Sequence, residues 1–204
     1  MSVRDFSSEL RVSIQKYHDE IESSYLAKRI IRTKITRSEY CWLLSQLYYL
    51  HCALESSWQN NLGFSSLYDT SIHSRIPALK ADLELLNEGN YYALHDSTVR
   101  LLAKFEEWNV TNHYSLIGAL YVIEGSRLGG VLLKDLLYDA LKLTNKEGAA
   151  YFLGTSEFWH KSWREFKRRI SESPEMESHQ ELISNASIET FQGLTDLYNT
   201  RPFI

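Results

Sequence analysis

His18 is followed one helical turn later by Glu22, so on a helix the carboxylate can reach the second ring nitrogen of the imidazole. That is the partner a metal-ligating imidazole usually has, and it fixes the tautomer and raises the basicity of the ligand. Ile14 and Ile21 flank His18 at helical spacing and place it on the apolar face. Arg11 lies seven residues earlier on that face, about 10.5 Å away by helix rise. The line Arg11, Ile14, His18, Glu22 therefore offers a cation, an apolar floor, a ligand and an orienter.

A second constellation is marked by missing side chains. Gly125-Ser126-Arg127-Leu128-Gly129-Gly130 interrupts an apolar run that reaches from Leu116 to Leu133 and otherwise reads as one buried helix. Glycine inside a helix costs roughly 1 kcal/mol relative to alanine, so this segment gives up about 3 kcal/mol of local stability. A third of the chain's 9 glycines are spent here. Gly125, Gly129 and Gly130 recur at i, i+4 and i+5, which predicts that they share one side of their helix. Close helix packing alone accounts for a bare G-x-x-x-G; the adjoining third glycine and the polar Ser126-Arg127 step point to a ligand. Set opposite His18, the glycines leave a slot for a planar macrocycle.

Other chemistries lack their residues. The seven histidines form no H-x-x-x-H or H-E-x-x-H pair and have no cysteine cluster beside them, which argues against zinc. The pair of Glu-x-x-His helices that a di-iron bundle needs is not found. No strand-turn-helix elbow supports Ser-His-Asp catalysis. Cys41 and Cys52 fall on one expected helix about 16 Å apart, too far to bridge, which suits a reduced, cytoplasmic protein. Residues 161–169 hold five cations, Lys161, Arg164, Lys167, Arg168 and Arg169, against the single carboxylate Glu165.

The elements that must position these residues are helices. Only three prolines and few glycines punctuate the chain, which favours long helices over many short strands. Leu10, Ile14, Ile21 and Tyr25 predict a first helix over about 3–29. Thr36 and Glu39 form a capping box that opens a second helix to about Asn60, followed by a turn at Asn60-Asn61-Leu62-Gly63. Pro77 suits the first turn of a third helix over 78–86. Further helices are expected over 95–108, 112–143, 156–171 and 176–199, with a turn at Thr144-Asn145-Lys146-Glu147-Gly148 and a break at Pro174. This is one all-α domain, residues 1–204, of about seven helices.

At 204 residues the chain can bury a substantial core, and 24% charged against 44% hydrophobic residues is ordinary for a globular protein. A net charge of −4 argues against nucleic acid as a partner. The N-terminus has no apolar stretch of signal length, and no run of about 18 apolar residues could span a membrane. A monomer or weak dimer is expected.

Four blocks together resemble the heme oxygenase family. Glu9-Leu10-Arg11 through Lys16-Tyr17-His18-Asp19-Glu20-Ile21-Glu22 is similar to its proximal helix. Ile35 to Glu55 resembles its second helix, and Ile76 to Leu83 its next block. Gly125-Ser126-Arg127-Leu128-Gly129-Gly130 matches the distal helix that kinks over the heme. The likeness covers most of residues 9 to 200.

The resemblance implies a helical bundle holding heme b, both cofactor and substrate, between the proximal helix and a kinked distal one. It implies that His18 is the axial ligand of the iron, oriented by Glu22, and that Arg11 binds one propionate. The second propionate cation would be Lys167 or Arg168. Ser126, with Gly125, Gly129 and Gly130, would hold distal water and the oxygen that is turned on a meso carbon of the ring. The implied reaction consumes O2 and electrons from an external donor, such as a ferredoxin or a reductase, and yields biliverdin, carbon monoxide and ferrous iron. The basic helix would receive an acidic donor. Ser126 stands where mammalian members carry an aspartate, and a mammalian distal tyrosine aligns with Leu120 rather than Tyr121. Two other readings remain open on these residues: a non-catalytic heme-binding or heme-sensing protein, and a heme-free, thiaminase-like hydrolase using Cys41 or Cys52.

Overall fold

The computed structural model describes residues 5–61, 64, 67–144, 147–152 and 157–202. Asp5 caps the first helix, α1 (Phe6–Glu22), by accepting the Ser8 amide at 3.0 Å. Phe6, Leu10 and Ile14, four residues apart, form its buried stripe. The expected helix over 3–29 is in fact two. The Ser23 amide turns back to the carbonyls of Asp19, Glu20 and Ile21, and the Ser24 hydroxyl donates to Ile21 at 2.6 Å. These local bonds compete with helix continuation, and α2 (Tyr25–Ile31) starts afresh, burying Leu26 and Ile30. Residues 3 and 4, the expected start of the first helix, lie outside the described residues.

The Thr36–Glu39 capping box opens α3 (Arg37–Asn60) as expected. Glu39 also accepts from Arg29 at 2.8 Å and from the Tyr25 hydroxyl at 3.0 Å, so one carboxylate ties α2 to α3. Every residue from Tyr40 to Leu47 is buried, the pattern of a helix enclosed on all sides. After it come α4 (Thr70–His73) and α5 (Ile76–Asn87), with Pro77 in its first turn. The next helix, α6 (Asp96–Thr111), is capped by His95. The glycine-bearing helix is α7 (Ser115–Leu141), and it bends by 62° between Ser115–Gly130 and Leu132–Leu141. A 3-10 turn (Ala150–Phe152) precedes α8 (Glu157–Glu172).

The expected helix over 176–199 divides into α9 (Pro174–Glu177) and α10 (Gln180–Asn199). Pro174 starts a short turn of helix instead of merely separating two long ones, because proline is favoured where an amide has no helical partner. The described residues thus form ten helices, not seven, and no strand. Residues 62 and 63 of the expected first turn, 145 and 146 of the second, and residue 156 lie outside the described residues.

One continuous core joins the elements. Helix α10 lies against α7, α1 and α6; α3 lies against α5 and α6; α8 packs on α1. Gly118 makes the α7–α10 crossing possible. A Cβ there would overlap the Ile183 carbonyl oxygen and stand 2.8 Å from the Ser187 amide nitrogen. No single helix is long and apolar enough to cross a membrane among the described residues.

Candidate active site

His18 sits on α1 with its ring edge-on to Phe191 of α10, the centroids 6.0 Å apart. It flanks the apolar stripe and is not inside it: its side chain is 49% exposed, because α10 covers only one side of this turn. The expectation of an apolar-face histidine is corrected to that extent. Nδ1 faces the carboxylates, 3.7 Å from Glu22 Oε1 and 4.0 Å from Asp19 Oδ1. Glu22 stands in ion-pair range and beyond hydrogen-bond length, and it shares its orienting position with Asp19. Nε2 makes no hydrogen bond among the described residues. Arg11 is exposed about two turns earlier, close enough for its charge to act on the buried Tyr121 phenol of α7.

The three glycines do not share one side. Gly130 is buried, and a Cβ there would meet the Phe152 carbonyl at 3.4 Å; at Gly125 it would lie 3.6 Å from the Trp163 ring; at Gly129 it would meet nothing within 4 Å. The step of about 100° per residue turns Gly130 away from Gly129. The face lacking side chains is therefore that of Gly125 and Gly129, and neither glycine is demanded by the protein's own packing. Ser126, between them, is exposed, and its hydroxyl donates to the Ile123 carbonyl at 2.7 Å. Leu120 is fully buried in the core and Tyr121 packs on Trp163 and Phe166.

Helix α8 brings its cations to this region in two different ways. Arg168 is tied to Glu165 and Glu172 at 2.6–2.9 Å, and Arg169 to Glu165 at 2.7 Å. Arg168 and Arg169 together hold the Glu165 carboxyl down at about 2. Lys167 has no carboxylate partner among the described residues; its ammonium lies 5.8 Å from the centre of the Trp163 ring, the same ring that backs Gly125. Of the two expected propionate cations, Lys167 is free for an anion and Arg168 is engaged.

Behind the glycine segment lies a polar network that the sequence did not single out. Glu124 accepts from His73 Nδ1 at 2.8 Å, from the Trp159 indole and from Arg127 at 3.3 Å. His73 Nε2 continues to the Ser162 hydroxyl at 2.9 Å. Beside it, Glu55 binds His51 Nδ1 at 3.0 Å, the Ser74 hydroxyl at 2.6 Å and the Arg75 amide at 2.9 Å, and His51 Nε2 meets the Tyr151 hydroxyl at 3.2 Å. Burial opposes the charge of Glu55, but these hydrogen bonds outweigh it and lower its pKa. Asp82 holds the 3-10 turn in place by accepting the Ala150 and Tyr151 amides at 2.7 and 2.9 Å. A cavity of about 20 Å³ opens between the layers, lined by Arg75, Ser126, Arg127, Gly130 and Tyr151 among others, enough for one water molecule.

Two signals could have found this network. Glu124 is a lone carboxylate in an apolar run, and a buried charge must be paired. His51 and Glu55 repeat the i, i+4 spacing of His18 and Glu22. Burial also bears on the hydrolase alternative: it pushes the Cys41 thiol up to about 11, the opposite of an activated nucleophile. Both cysteines are free.

The heme oxygenase family model matches residues 4–200 of the chain. A heme oxygenase from Takifugu rubripes is 25% identical over 158 residues, which are 74% of this chain and 57% of that protein. The chain thus spans little more than half the length of that relative. Among solved structures, heme oxygenase from Leptospira interrogans superposes with a TM-score of 0.86 at 20% identity, covering 96% of this chain and 99% of that one. Heme oxygenase-2 from Synechocystis sp. PCC 6803, solved in complex with heme and NO, gives 0.85 at 22% identity, covering 96% and 84%.

Proposed function

The chain belongs to the heme oxygenase family, and from that premise we propose that it opens heme to biliverdin, releasing carbon monoxide and ferrous iron. The reaction draws on dioxygen and on electrons from an external donor. The observation that carries this reading is the open face of Gly129, where a Cβ would touch nothing. Glycines kept at a helical cost, and not required by packing, leave room for something other than the protein.

The residues present fit heme b. Its iron, when bound, supplies the site at which dioxygen is activated. His18 offers a free Nε2 to the iron while Nδ1 faces Glu22 and Asp19; the two negative charges favour the proton on Nδ1, which leaves the lone pair on Nε2. Arg11 and Lys167 are the cations for the propionates. The backbone of Gly125 and Gly129 forms the opposite wall, so orientation rather than an acid-base side chain governs where the ring is attacked.

Ser126 donates its only proton to Ile123 and can accept from a water in the adjoining cavity. Arg75, Arg127 and Tyr151 are the donors lining that cavity. On α8, Lys161 and Arg164 are exposed and complete the basic face offered to an acidic electron donor.

Ser126's committed hydroxyl is also the observation that favours the second reading, a heme-binding or heme-sensing protein without turnover. Heme-reconstituted protein given ascorbate under air separates them. Loss of the Soret band with appearance of a bilin, identified by chromatography, is expected. Tight binding with an intact Soret band would sink the catalytic reading.

A further inference from the structure

Three side chains that the proposed heme reaction does not use stand in line behind the glycine segment. Ser162 Oγ is 2.9 Å from His73 Nε2, and His73 Nδ1 is 2.8 Å from Glu124 Oε2. A carboxylate only accepts, so the neutral imidazole carries its proton on Nδ1. It turns the lone pair of Nε2 to the serine hydroxyl, which donates. A nucleophile and a base within hydrogen-bond reach, with a third group orienting the base, is the geometry of an activated serine. We propose that Ser162, His73 and Glu124 form a second reactive centre, in which Ser162 takes the acyl group of esters that have a good leaving group. The centre needs no heme and stands apart from the heme reaction.

The three residues come from α8, α4 and α7, and such triads are defined by geometry, not by position in the chain. The two inner members are fixed. His73 is 3% exposed and Glu124 2%, and the Tyr68 ring stacks on the imidazole, the centroids 5.5 Å apart and the planes at 29°. The Trp159 indole and Arg127 hold the same Glu124 oxygen from other directions. Ser162 is half-buried, the member of the three that reaches the surface. Phe158 lies one turn earlier on the same face of α8 and is 77% exposed. An unpartnered apolar ring thus stands beside the hydroxyl, where the organic part of an ester can rest.

The chemistry is acyl transfer, without oxidation or reduction. Ser162 Oγ bonds to the carbonyl carbon as its proton passes to His73 Nε2. The bond to the leaving oxygen breaks, and the alcohol or phenol departs with that proton. Water, giving a proton to the same nitrogen, then attacks the acyl carbon; the carboxylic acid leaves and the Ser162 hydroxyl is restored. Nothing in the triad polarises the carbonyl oxygen, which confines the substrates to esters activated by their leaving group, aryl esters above all.

Apo-protein treated with p-nitrophenyl acetate, digested and mapped by mass spectrometry tests the centre, with a fluorophosphonate as a second probe. Acetyl and phosphonyl groups are expected on Ser162, formed about tenfold or more faster than in His73→Gln. Ser162→Ala should lose them while keeping its helical circular dichroism. The parent unfolded in urea is the comparison should His73→Gln fail to fold, and it too should lose the label. Nitrogen NMR of isotope-labelled parent should show neutral His73 protonated at Nδ1. Label confined to lysines such as the neighbouring Lys161, label on Ser162 that persists in the unfolded chain, or a His73 proton on Nε2 each overturns the proposal. Release of p-nitrophenol past one equivalent per chain is expected from the second step, and a single burst overturns that step.

Discussion

Two adjacent cations on α8 face opposite energetic situations. Arg168 already lies between two carboxylates, so a propionate would have to displace bonds that exist. Among the described residues Lys167 has no carboxylate partner and only the Trp163 ring beneath its ammonium, so a propionate would displace nothing there. Lys167→Ala should weaken heme binding by about three- to tenfold, the scale of a partly exposed ion pair, whereas Arg168→Ala should leave it within about twofold. Heme titration followed at the Soret band distinguishes them, and the reverse order would reject Lys167 as the anion partner. The identity of this cation was legible in the sequence only to within two residues, since helical periodicity places both on neighbouring faces and says nothing of where Glu165 and Glu172 reach. The same limit holds for the two histidine–glutamate pairs. His18–Glu22 and His51–Glu55 have identical spacing, yet one is exposed and the other 1–2% exposed. What separates them is the neighbouring helices, which local spacing does not encode.

Along α7 the glycines divide by task. Gly118 is pressed against the α10 backbone, and Gly129 faces open space. Gly118→Ala should destabilise the apo-protein by about 3 kcal/mol through overpacking against backbone that cannot step aside, lowering the melting temperature by roughly 6–12 °C at this size. Gly129→Ala should leave the apo-protein equally stable, or more stable by about 0.5–1 kcal/mol from helix propensity, while reducing heme affinity at least tenfold. Melting curves with and without heme read both effects; a Gly129→Ala protein that binds heme like the parent would remove the slot. Sequence reasoning located the glycine segment and the bend it permits. It did not separate the glycine pressed against backbone from the one facing open space, and it carried the first helix through Ser23 and Ser24. Both serines end α1 through short-range bonds whose strength is comparable to the helix's own.

Across the molecule, the buried carboxylates set an acid limit. Glu55 ionises more readily in the folded protein than at its ordinary value of 4.5. Its contribution to stability is therefore complete above pH 4.5 and is lost as the pH falls towards its lowered pKa. Asp82 acts in the opposite sense: burial raises its pKa above 3.8 despite two amide donors, so it costs stability as the pH rises through that range. Urea unfolding between pH 3 and 6 should show a shallower loss on acidification for Glu55→Gln than for the parent, and a steeper one for Asp82→Asn. Parallel slopes would show that neither group carries the linkage. The all-helical architecture and its long elements were readable from spacing and sparse punctuation. The inner network was not, because its members come from α3, α4, α7, the 3-10 turn and α8, with bonded partners up to 100 residues apart.

That network gives the glycine wall a thermodynamic character of its own. Three groups from three directions converge on Glu124, the residue just before Gly125. The stretch of backbone that presents no side chains is thus anchored from behind by bonds already made in the folded protein. On the proposed reading, much of the entropy of ordering it is lost during folding and not during binding. Rigidity here lies beneath the place where the chain is barest.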